Sequence, residues 1–375
     1  MLAASARRAG FLPLVVDSFA DSDLASHAHA SRTIPEAIQA GFHTRSLLRA
    51  LAELVVEAPS PPIGLVLGAG FEETPDLVAR LGRRHALLGC GAEAVRAAKD
   101  PARLFPLLAE MGIRHPETSL ERPADGTGWL SKRVGGSGGT HIKEVAATSF
   151  RPGRQTFRRY YQRRVDGVGL SVLVGWWLVG VVVAFTRLWV APAPRQPYRY
   201  GGAVGHLTLE TELEAELVSI ALPLGRRLGL VGLVSFDFVF GPDGPLLVDV
   251  NPRPGATLDV LDDDAGTLLL AHVAACRGGD PAGLLARQWR PRHRAAAYLY
   301  AGENGLEVPA IHWPDWTADR PHPGSSIAPR RPVVTVMASA ENPDLAASLC
   351  RNRLETLAEM LYGRSCPSSP AEHRC

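Results

Sequence analysis

Two carboxylates and one amide stand where a turn can fold them together. In Ser235-Phe236-Asp237-Phe238-Val239-Phe240 one acid interrupts a run of apolar and small residues. Gly241-Pro242-Asp243-Gly244 follows, a sequence of turn formers. The next run, Pro245-Leu246-Leu247-Val248-Asp249-Val250, carries a second acid near its end. Antiparallel pairing across that turn brings Asp237 and Asp249 close together. Two carboxylates in an apolar setting repel and require a compensating cation. Asn251 follows Asp249 by two residues and shares its face of the strand. Carboxylate and amide oxygens suit Mg²⁺, a hard ion that also takes phosphate oxygens as ligands. Arg253, in Asn251-Pro252-Arg253-Pro254, adds a guanidinium fork for the same phosphates. The plain alternative is a surface Asp pair at a polar turn.

A second group lies upstream. Ser131-Lys132-Arg133-Val134 runs into Gly135-Gly136-Ser137-Gly138-Gly139-Thr140-His141. Glycines let backbone amides close around phosphate oxygens, and Lys132 supplies positive charge. The order of lysine and glycines is not that of a Walker A loop, and GxGxxG is absent. A glycine-rich hairpin with no ligand is the competing reading. The only lysines are Lys99, Lys132 and Lys143, every other strongly basic side chain being arginine. That bias makes each lysine informative, because a compact ammonium is not freely exchanged for a guanidinium.

With these parts in this order, residues 60–285 resemble the ATP-grasp superfamily, in its carboxylate–amine ligase-like branch. The resemblance implies that Gly135, Gly136, Ser137, Gly138 and Gly139 form the phosphate lid and that Lys132 contacts ATP phosphates. It makes Tyr160-Tyr161-Gln162-Arg163-Arg164-Val165-Asp166-Gly167 the hinge whose backbone holds adenine, with Gln162, Arg163, Val165 and Asp166 as nucleotide-binding positions. It assigns magnesium to Asp237, Asp249 and Asn251, and stabilisation of the transferred phosphate to Arg253, with Lys132 as the second catalytic residue. The implied cofactors are ATP and Mg²⁺, with Mn²⁺ allowed in its place. There are departures from the family pattern. The usual Asp-Lys pair before the lid is here Lys99-Asp100-Pro101, which makes Lys99 a doubtful substitute. The usual ribose-binding Glu is replaced by Gly169, and the second metal carboxylate is Asp249 where Glu is commoner. Tyr200–His206 and Pro323–Ala328 are similar to segments of the biotin-carboxylase-related carboligase group, some of which look tied to one-carbon carrier synthesis of the methanopterin or methylofuran kind.

The elements that must position these groups follow from periodicity. Residues 1–90 alternate helix and strand signals: helices at Ala3–Ala9, Thr44–Val56 and Asp76–Leu81, strands at Phe11–Val16, Ile63–Leu67 and His85–Leu88. This reads as a Rossmann-like pre-ATP-grasp α/β domain whose first strand is not apparent, so that the unit is reduced or its start lies upstream. Residues 91–285 read as the ATP-grasp domain, with one helix over Ala92–Met111, a lid at about 116–165 held by few contacts, a helix over Leu209–Leu228, strands Val231–Phe240 and Pro245–Val250, and a helix over Thr267–Cys276. Residues 286–375 read as a small α+β domain, with strands Ala295–Tyr300 and Val333–Ala338, a helix over Pro343–Leu361, and a disordered tail. The fold class is α/β and α+β.

Composition excludes several functions. The 375 residues are 46% hydrophobic and 21% charged, and the net charge of +2 is too small for a protein that wraps nucleic acid. The five cysteines lack CxxC spacing, which favours a reducing compartment and disfavours structural zinc. Gly169–Phe185 is uncharged, but it is short for a bilayer span and is broken by Gly175 and Gly180. It suits two buried strands, and the early Arg7-Arg8 is not followed by a convincing export signal. His27 and His29 read as a solvated loop, Asp262-Asp263-Asp264 as the charged start of a helix, and Cys90 as a core residue. Arg195 and Arg199 are candidates for binding a substrate carboxylate.

The reading is an ATP-dependent, C–N bond-forming ligase acting through an acyl phosphate, for instance adding glutamate to an amine such as tyramine in cofactor assembly. The alternative is a degenerate, non-catalytic ATP-binding protein. A biotin-type carboxylase is disfavoured because no Met-Lys-Met-like carrier segment is seen. The expected partners are a small-molecule carboxylate and amine, without nucleic acid or membrane, in a cytoplasmic protein for which a homodimer is allowed.

Overall fold

The computed structural model describes residues 2–145, 158–176 and 180–363. Part of the expected lid and the expected disordered tail, Cys366–Cys375, therefore lie outside the described residues. At the centre is an eight-stranded antiparallel sheet. Its order is Gly244–Asn251, Gly232–Gly241, Val168–Trp176, Gly180–Val190, Tyr200–Gly205, Arg294–Tyr300, Pro332–Ser339 and Thr317–Ala318. The uncharged run at 169–185 thus supplies two paired strands, as expected, and no helix among the described residues is long and apolar enough to cross a membrane. Its continuous apolarity has a physical cause: these strands are covered on both faces. Val172, Val174, Val234 and Phe236 pack with Leu217, Ala221 and Leu224 of the helix Thr211–Arg227. Their alternates Leu173 and Leu233 join Leu268 and Ala271 of the helix Thr267–Cys276.

Lower in the chain, Leu14–Asp17 pairs in parallel with Ala30–Thr33. The strands expected at Ile63–Leu67 and His85–Leu88 reduce to a single parallel bridge between Leu65 and Leu87. Their apolar positions instead pack beneath the helices Thr44–Glu57 and Pro75–Gly82, with Leu47, Leu77, Val78 and Leu81 at the centre. The helix expected over Ala92–Met111 is two, Ala92–Lys99 and Pro101–Glu110. Asp100 caps the second by accepting a bond from the Ala102 amide at 3.2 Å, and Pro101 occupies its first turn. This break leaves Lys99 at the last turn of the first helix, where its side chain can turn toward the sheet.

The described part of the lid is a four-stranded antiparallel sheet ordered Thr118–Ser119, Arg159–Arg163, Trp129–Arg133 and Lys143–Glu144. On the far side of the molecule the helix Pro343–Tyr362 packs on the strands at 294–300 and 332–339, burying Ala346, Ala347, Cys350 and Leu357 against Ala295, Ala297 and Val336. The helix Pro281–Gln288, capped by Asp280, is an element the sequence reading passed over.

The acidic run at 262–264 is structural in the way its sequence suggests. Asp263 accepts from the amides of Ala265, Thr267 and Arg290 at 3.1, 2.9 and 3.0 Å and from the Thr267 hydroxyl at 2.8 Å. Asp262 accepts from the Leu268 amide at 3.0 Å and from Arg8 at 3.1 Å. Burial pushes the Asp263 carboxyl up, but these bonds outweigh it and hold it below its usual range. Asp263→Ala strands several buried donors at once, and we expect a loss of about 2–4 kcal/mol in urea unfolding. A loss within 0.5 kcal/mol, a level ordinary for about any surface substitution, would contradict this capping role.

Candidate functional site

The site begins at the hairpin of 232–241 and 244–251. Asp237 and Asp249 are directly opposite one another in its register. Asp237 accepts from the Ser171 hydroxyl on the neighbouring strand at 2.6 Å and from Asn251 Nδ2 at 2.8 Å. Asn251 is buried, and its remaining oxygen, Oδ1, accepts from Lys99 Nζ at 3.1 Å. The same ammonium donates to both oxygens of Asp249, at 2.7 and 2.9 Å. Lys99 is therefore the compensating cation that two facing carboxylates require. Its side chain is 5% exposed, whereas that of Asp249 is 34% exposed and opens to the cleft. Burial, with Asp249 adding to it, pushes the Asp237 carboxyl up to about 6, against the pull of Ser171, Lys99 and Arg253.

These oxygens already hold one cationic group. Carboxylates at 237 and 249 with an amide oxygen at 251 form a hard-donor set that fits a divalent ion chemically. The sequence reading expected these three residues on one face, and treated Lys99 only as a doubtful substitute for a phosphate-contacting lysine, not as the cation between them. The available signal was the scarcity of lysine.

Lys132 lies on the lid strand Trp129–Arg133, opposite Tyr160. Its ammonium is buried and donates to Gln162 Oε1 at 2.7 Å. Gln162 is two residues beyond Tyr160 and so shares the same face, and its amide donates to Thr118 Oγ1 at 3.2 Å. Burial brings Lys132 down to about 8, with Lys99 adding to the fall and Asp249 and Asp237 opposing it. His141, also at the cleft, is held at about 4 by burial, with Lys132 and Lys99 adding to the fall against the pull of Asp249, so its ring is neutral.

The glycine stretch is shaped by close approaches. A Cβ on Gly135, whose φ is +74°, would lie 2.6 Å from the Glu72 carbonyl oxygen. One on Gly139 would overlap that of Tyr198. Gly138 accepts a backbone bond from Tyr200 at 3.0 Å, and Arg133 pairs with Glu73. The expectation of a lid held by few contacts is thereby corrected for its described residues, which touch the body at Glu72 and Glu73, at Tyr198 and Tyr200, and again where Arg158 pairs with Asp100 at 3.3 Å. Gly136, Ser137, Gly138 and Gly139 line the cleft, whereas Gly135 is seated against Glu72.

Arg253 is aimed by a partner the sequence reading missed. Glu72, buried, accepts Arg253 Nε at 2.5 Å and the Gly70 amide at 2.7 Å. Burial pushes the Glu72 carboxyl up, but Arg253 and Lys99 outweigh it and hold it low. Along the hinge, Tyr160, Val165 and Asp166 face the cleft. The side chain of Arg163 turns away, donating to the Thr127 carbonyl at 2.9 Å and lying 4.8 Å over the Trp129 ring. The Gln162 side chain is spent within the lid sheet, and neither Gln162 nor Arg163 lines the cleft, which departs from their expected place among the nucleotide-binding positions. Arg199 is buried against the Tyr300 ring at 3.7 Å and donates to the carbonyls of Ala191 and Arg330, which makes it a structural arginine. Cys90 is buried and pushed up to about 12 by burial, an inert thiol. No group of three metal-ligating side chains including His27 or His29 occurs among the described residues.

Comparison with known proteins matches residues 98–257 to the family profile described as an ATP-grasp domain. The large chain of carbamoyl phosphate synthase from Rubrobacter xylanophilus is 24% identical over 268 residues, covering 63% of this chain and 25% of that protein. The same protein from Myxococcus xanthus is 22% identical over 221 residues, covering 52% of this chain. This chain thus spans about a quarter of the first of these relatives' length. Among solved structures, a biotin carboxylase from Campylobacter jejuni superposes with TM-score 0.68 at 13% identity, covering 93% of this chain and 86% of that one. An L-amino acid ligase from Bacillus licheniformis superposes with TM-score 0.67 at 13% identity, covering 95% and 93%. The fold is therefore that of the ATP-grasp proteins.

Removing the ammonium that joins Asp249 to Asn251 should unmask the repulsion between the carboxylates. Allowing for the exposure of Asp249, Lys99→Met should cost about 1–3 kcal/mol in urea unfolding. In the Asp249→Asn background that cost should shrink. Strictly additive losses would contradict the pairing.

Proposed function

We propose that this chain, which carries an ATP-grasp domain over residues 98–257, is an ATP-dependent carboxylate–amine ligase. The observation that carries the reading is the convergence of Asp237, Asp249, Asn251, Arg253 and Lys132 on one cleft roofed by the glycine stretch. The γ-phosphoryl group of ATP passes to a substrate carboxylate, and an amine then displaces phosphate from the acyl phosphate to form an amide. Such transfers need positioning and charge stabilisation more than covalent chemistry from the protein.

Each residue has a task in this reading. Lys132, fixed by Gln162, presents an ammonium to the nucleotide phosphates. Ser137, Gly138 and Gly139 turn backbone amides toward them, the Gly136 amide being bonded to the Arg133 carbonyl. The backbone at Val165 and Asp166 receives the adenine. Asp237, Asp249 and Asn251 would hold Mg²⁺, which when bound screens phosphate charge. Arg253, oriented by Glu72 through Nε and by the Pro254 carbonyl through Nη1, offers Nη2 to the phosphoryl group in transit. Lys99 holds Asp249 in place through both carboxylate oxygens. In this scheme the acid could be an amino acid such as glutamate and the amine one such as tyramine, in the assembly of a one-carbon carrier. Support for the chemistry is the donor set itself; support for those particular substrates is similarity of segments alone.

Calorimetry with Mg-ATP tests the nucleotide half. Lys132→Ala should weaken binding by about 10- to 100-fold, the worth of a charge-assisted hydrogen bond. Because the free-protein ammonium titrates at about 8, wild-type affinity should fall as pH rises from 7 to 9, and the Lys132→Ala variant should lack that fall. Asp249→Asn should retain ATP while losing substrate-dependent phosphate release. Unchanged ATP affinity in Lys132→Ala would remove the phosphate-lid assignment.

A further inference from the structure

One polar side chain of the lid has no task in the scheme above. His141 closes the glycine stretch and lines the cleft. The loop folds it back onto the strand that leads in. The Arg133 amide donates to His141 Nδ1 at 3.3 Å, while the Arg133 carbonyl accepts from the Gly136 amide at 3.1 Å. Arg159 fixes the backbone at the same point, donating through Nη2 to the carbonyls of His141 and Ser131, each at 2.9 Å. The ring itself lies against Gly136, where an added Cβ would run into Cγ, Cδ2 and Nδ1. The imidazole is therefore held on its face, at one nitrogen and at its own backbone.

These contacts place the ring proton. A backbone amide can only donate, so Nδ1 is the acceptor and the proton of the neutral imidazole sits on Nε2. Burial holds the ring at about 4, so it carries no charge at neutral pH. Nε2 has no hydrogen-bond partner among the described residues, and it is open to solvent rather than sealed in the interior. The cleft that His141 lines is also lined by Lys132 and Asp249. Among the charges that act on the ring, Asp249 is the strongest, followed by Lys132 and Lys99. An uncharged N–H in that position can bond an anionic oxygen without adding a further positive charge beside the two lysines. The one lone pair of the ring is already spent on the Arg133 amide, so the imidazole is poised to donate and not to take a proton.

We propose that His141 is a catalytic residue that donates its Nε2–H to an oxygen of the terminal phosphoryl group of ATP as that group moves to the acceptor carboxylate. The inference rests on the ligase reading, to which it adds an uncharged donor. In the transfer the bond between the terminal phosphorus and the bridging oxygen of ADP breaks, and a bond from that phosphorus to a carboxylate oxygen forms. The imidazole keeps its proton on Nε2 throughout. His141 is thus not the base that receives the proton of the attacking amine. The role also gives a reason for the clamp at Arg133, which selects the tautomer able to donate into the cleft.

The test is calorimetry on the full chain with Mg-ATP and with Mg-ADP in separate titrations, for wild type, His141→Phe and His141→Gln. Phenylalanine keeps a ring without the donor, and glutamine restores an uncharged N–H of similar reach. His141→Phe should bind Mg-ATP about 3- to 10-fold more weakly, the worth of one neutral hydrogen bond. Its Mg-ADP constant should be unchanged, which also shows that the variant is folded, and His141→Gln should recover most of the loss. If His141→Phe does not fold, nitrogen NMR of the wild-type histidines decides alone. It should show His141 as the Nε2–H tautomer at pH 7, with the Nε2 signal moved by a non-hydrolysable Mg-ATP analogue and not by Mg-ADP. The proposal is overturned if His141→Phe binds Mg-ATP as wild type does, if Mg-ADP is weakened equally, if His141→Gln is as weak as His141→Phe, or if the proton lies on Nδ1. Wild-type protein that binds no Mg-ATP would overturn the ligase reading and this role with it. Normal Mg-ATP binding without these His141 effects would overturn this role alone, so the two failures are separable.

Discussion

Everything in this site depends on holding Asp237 and Asp249 side by side at low dielectric. Left alone, that pair would take up a proton or push its strands apart. Lys99 opposes both. It reaches from the last turn of one helix to three oxygens on the hairpin, and the helix can end there because Asp100 and Pro101 start a new one immediately. A helix continuing unbroken through residue 100 would carry the chain past the sheet and commit its backbone elsewhere. The break is thus part of the electrostatics, and the hairpin register and the helix boundary are two halves of one arrangement.

A similar economy governs the other charged groups. Glu72 fixes Arg253 while its backbone carbonyl receives Gly135, so one short segment orients the arginine and seats the lid. Gln162 fixes Lys132 while serving as part of the strand that leads into the hinge. Each cation that faces the phosphates in the proposed reaction is held by a neighbour from a different element. Such second contacts are what keep reacting groups within a small fraction of an ångström of a productive geometry.

The hairpin chemistry was legible in the sequence because it is local. A turn of four formers fixes the register as far as Phe238 and Leu247, and a one-residue bulge beyond them, which the sequence does not announce, brings Asp249 rather than Val248 opposite Asp237. The paired strands at 168–190 were legible for a related reason, Val-rich stretches broken by glycine. What could not be read was tertiary. Nothing near Lys99 or Glu72 announces a partner about 150 or 180 residues away. The apolar rhythm of Ala92–Met111 continues across Asp100-Pro101 and conceals the break. In the first ninety residues, short apolar runs that fit a strand pack as irregular chain beneath helices, since burial alone satisfies them and only Leu65 and Leu87 pair. The glycine stretch lines the cleft over residues 136–139, yet Gly135 and Gly139 are explained by backbone closeness to Glu72 and Tyr198 before any ligand is considered.

The central claim is that Asp237, Asp249 and Asn251 form a cation-binding face turned toward nucleotide phosphates. Crystals grown with Mn²⁺ and ADP, with data collected at the manganese edge, test it most directly. The account predicts an anomalous peak within about 2.0–2.3 Å of oxygens from both Asp237 and Asp249, bridging to the nucleotide phosphates, the hard-ion distance range. Nucleotide density in the cleft with the manganese peak elsewhere, or with Lys99 still the only cation on those oxygens, would contradict it.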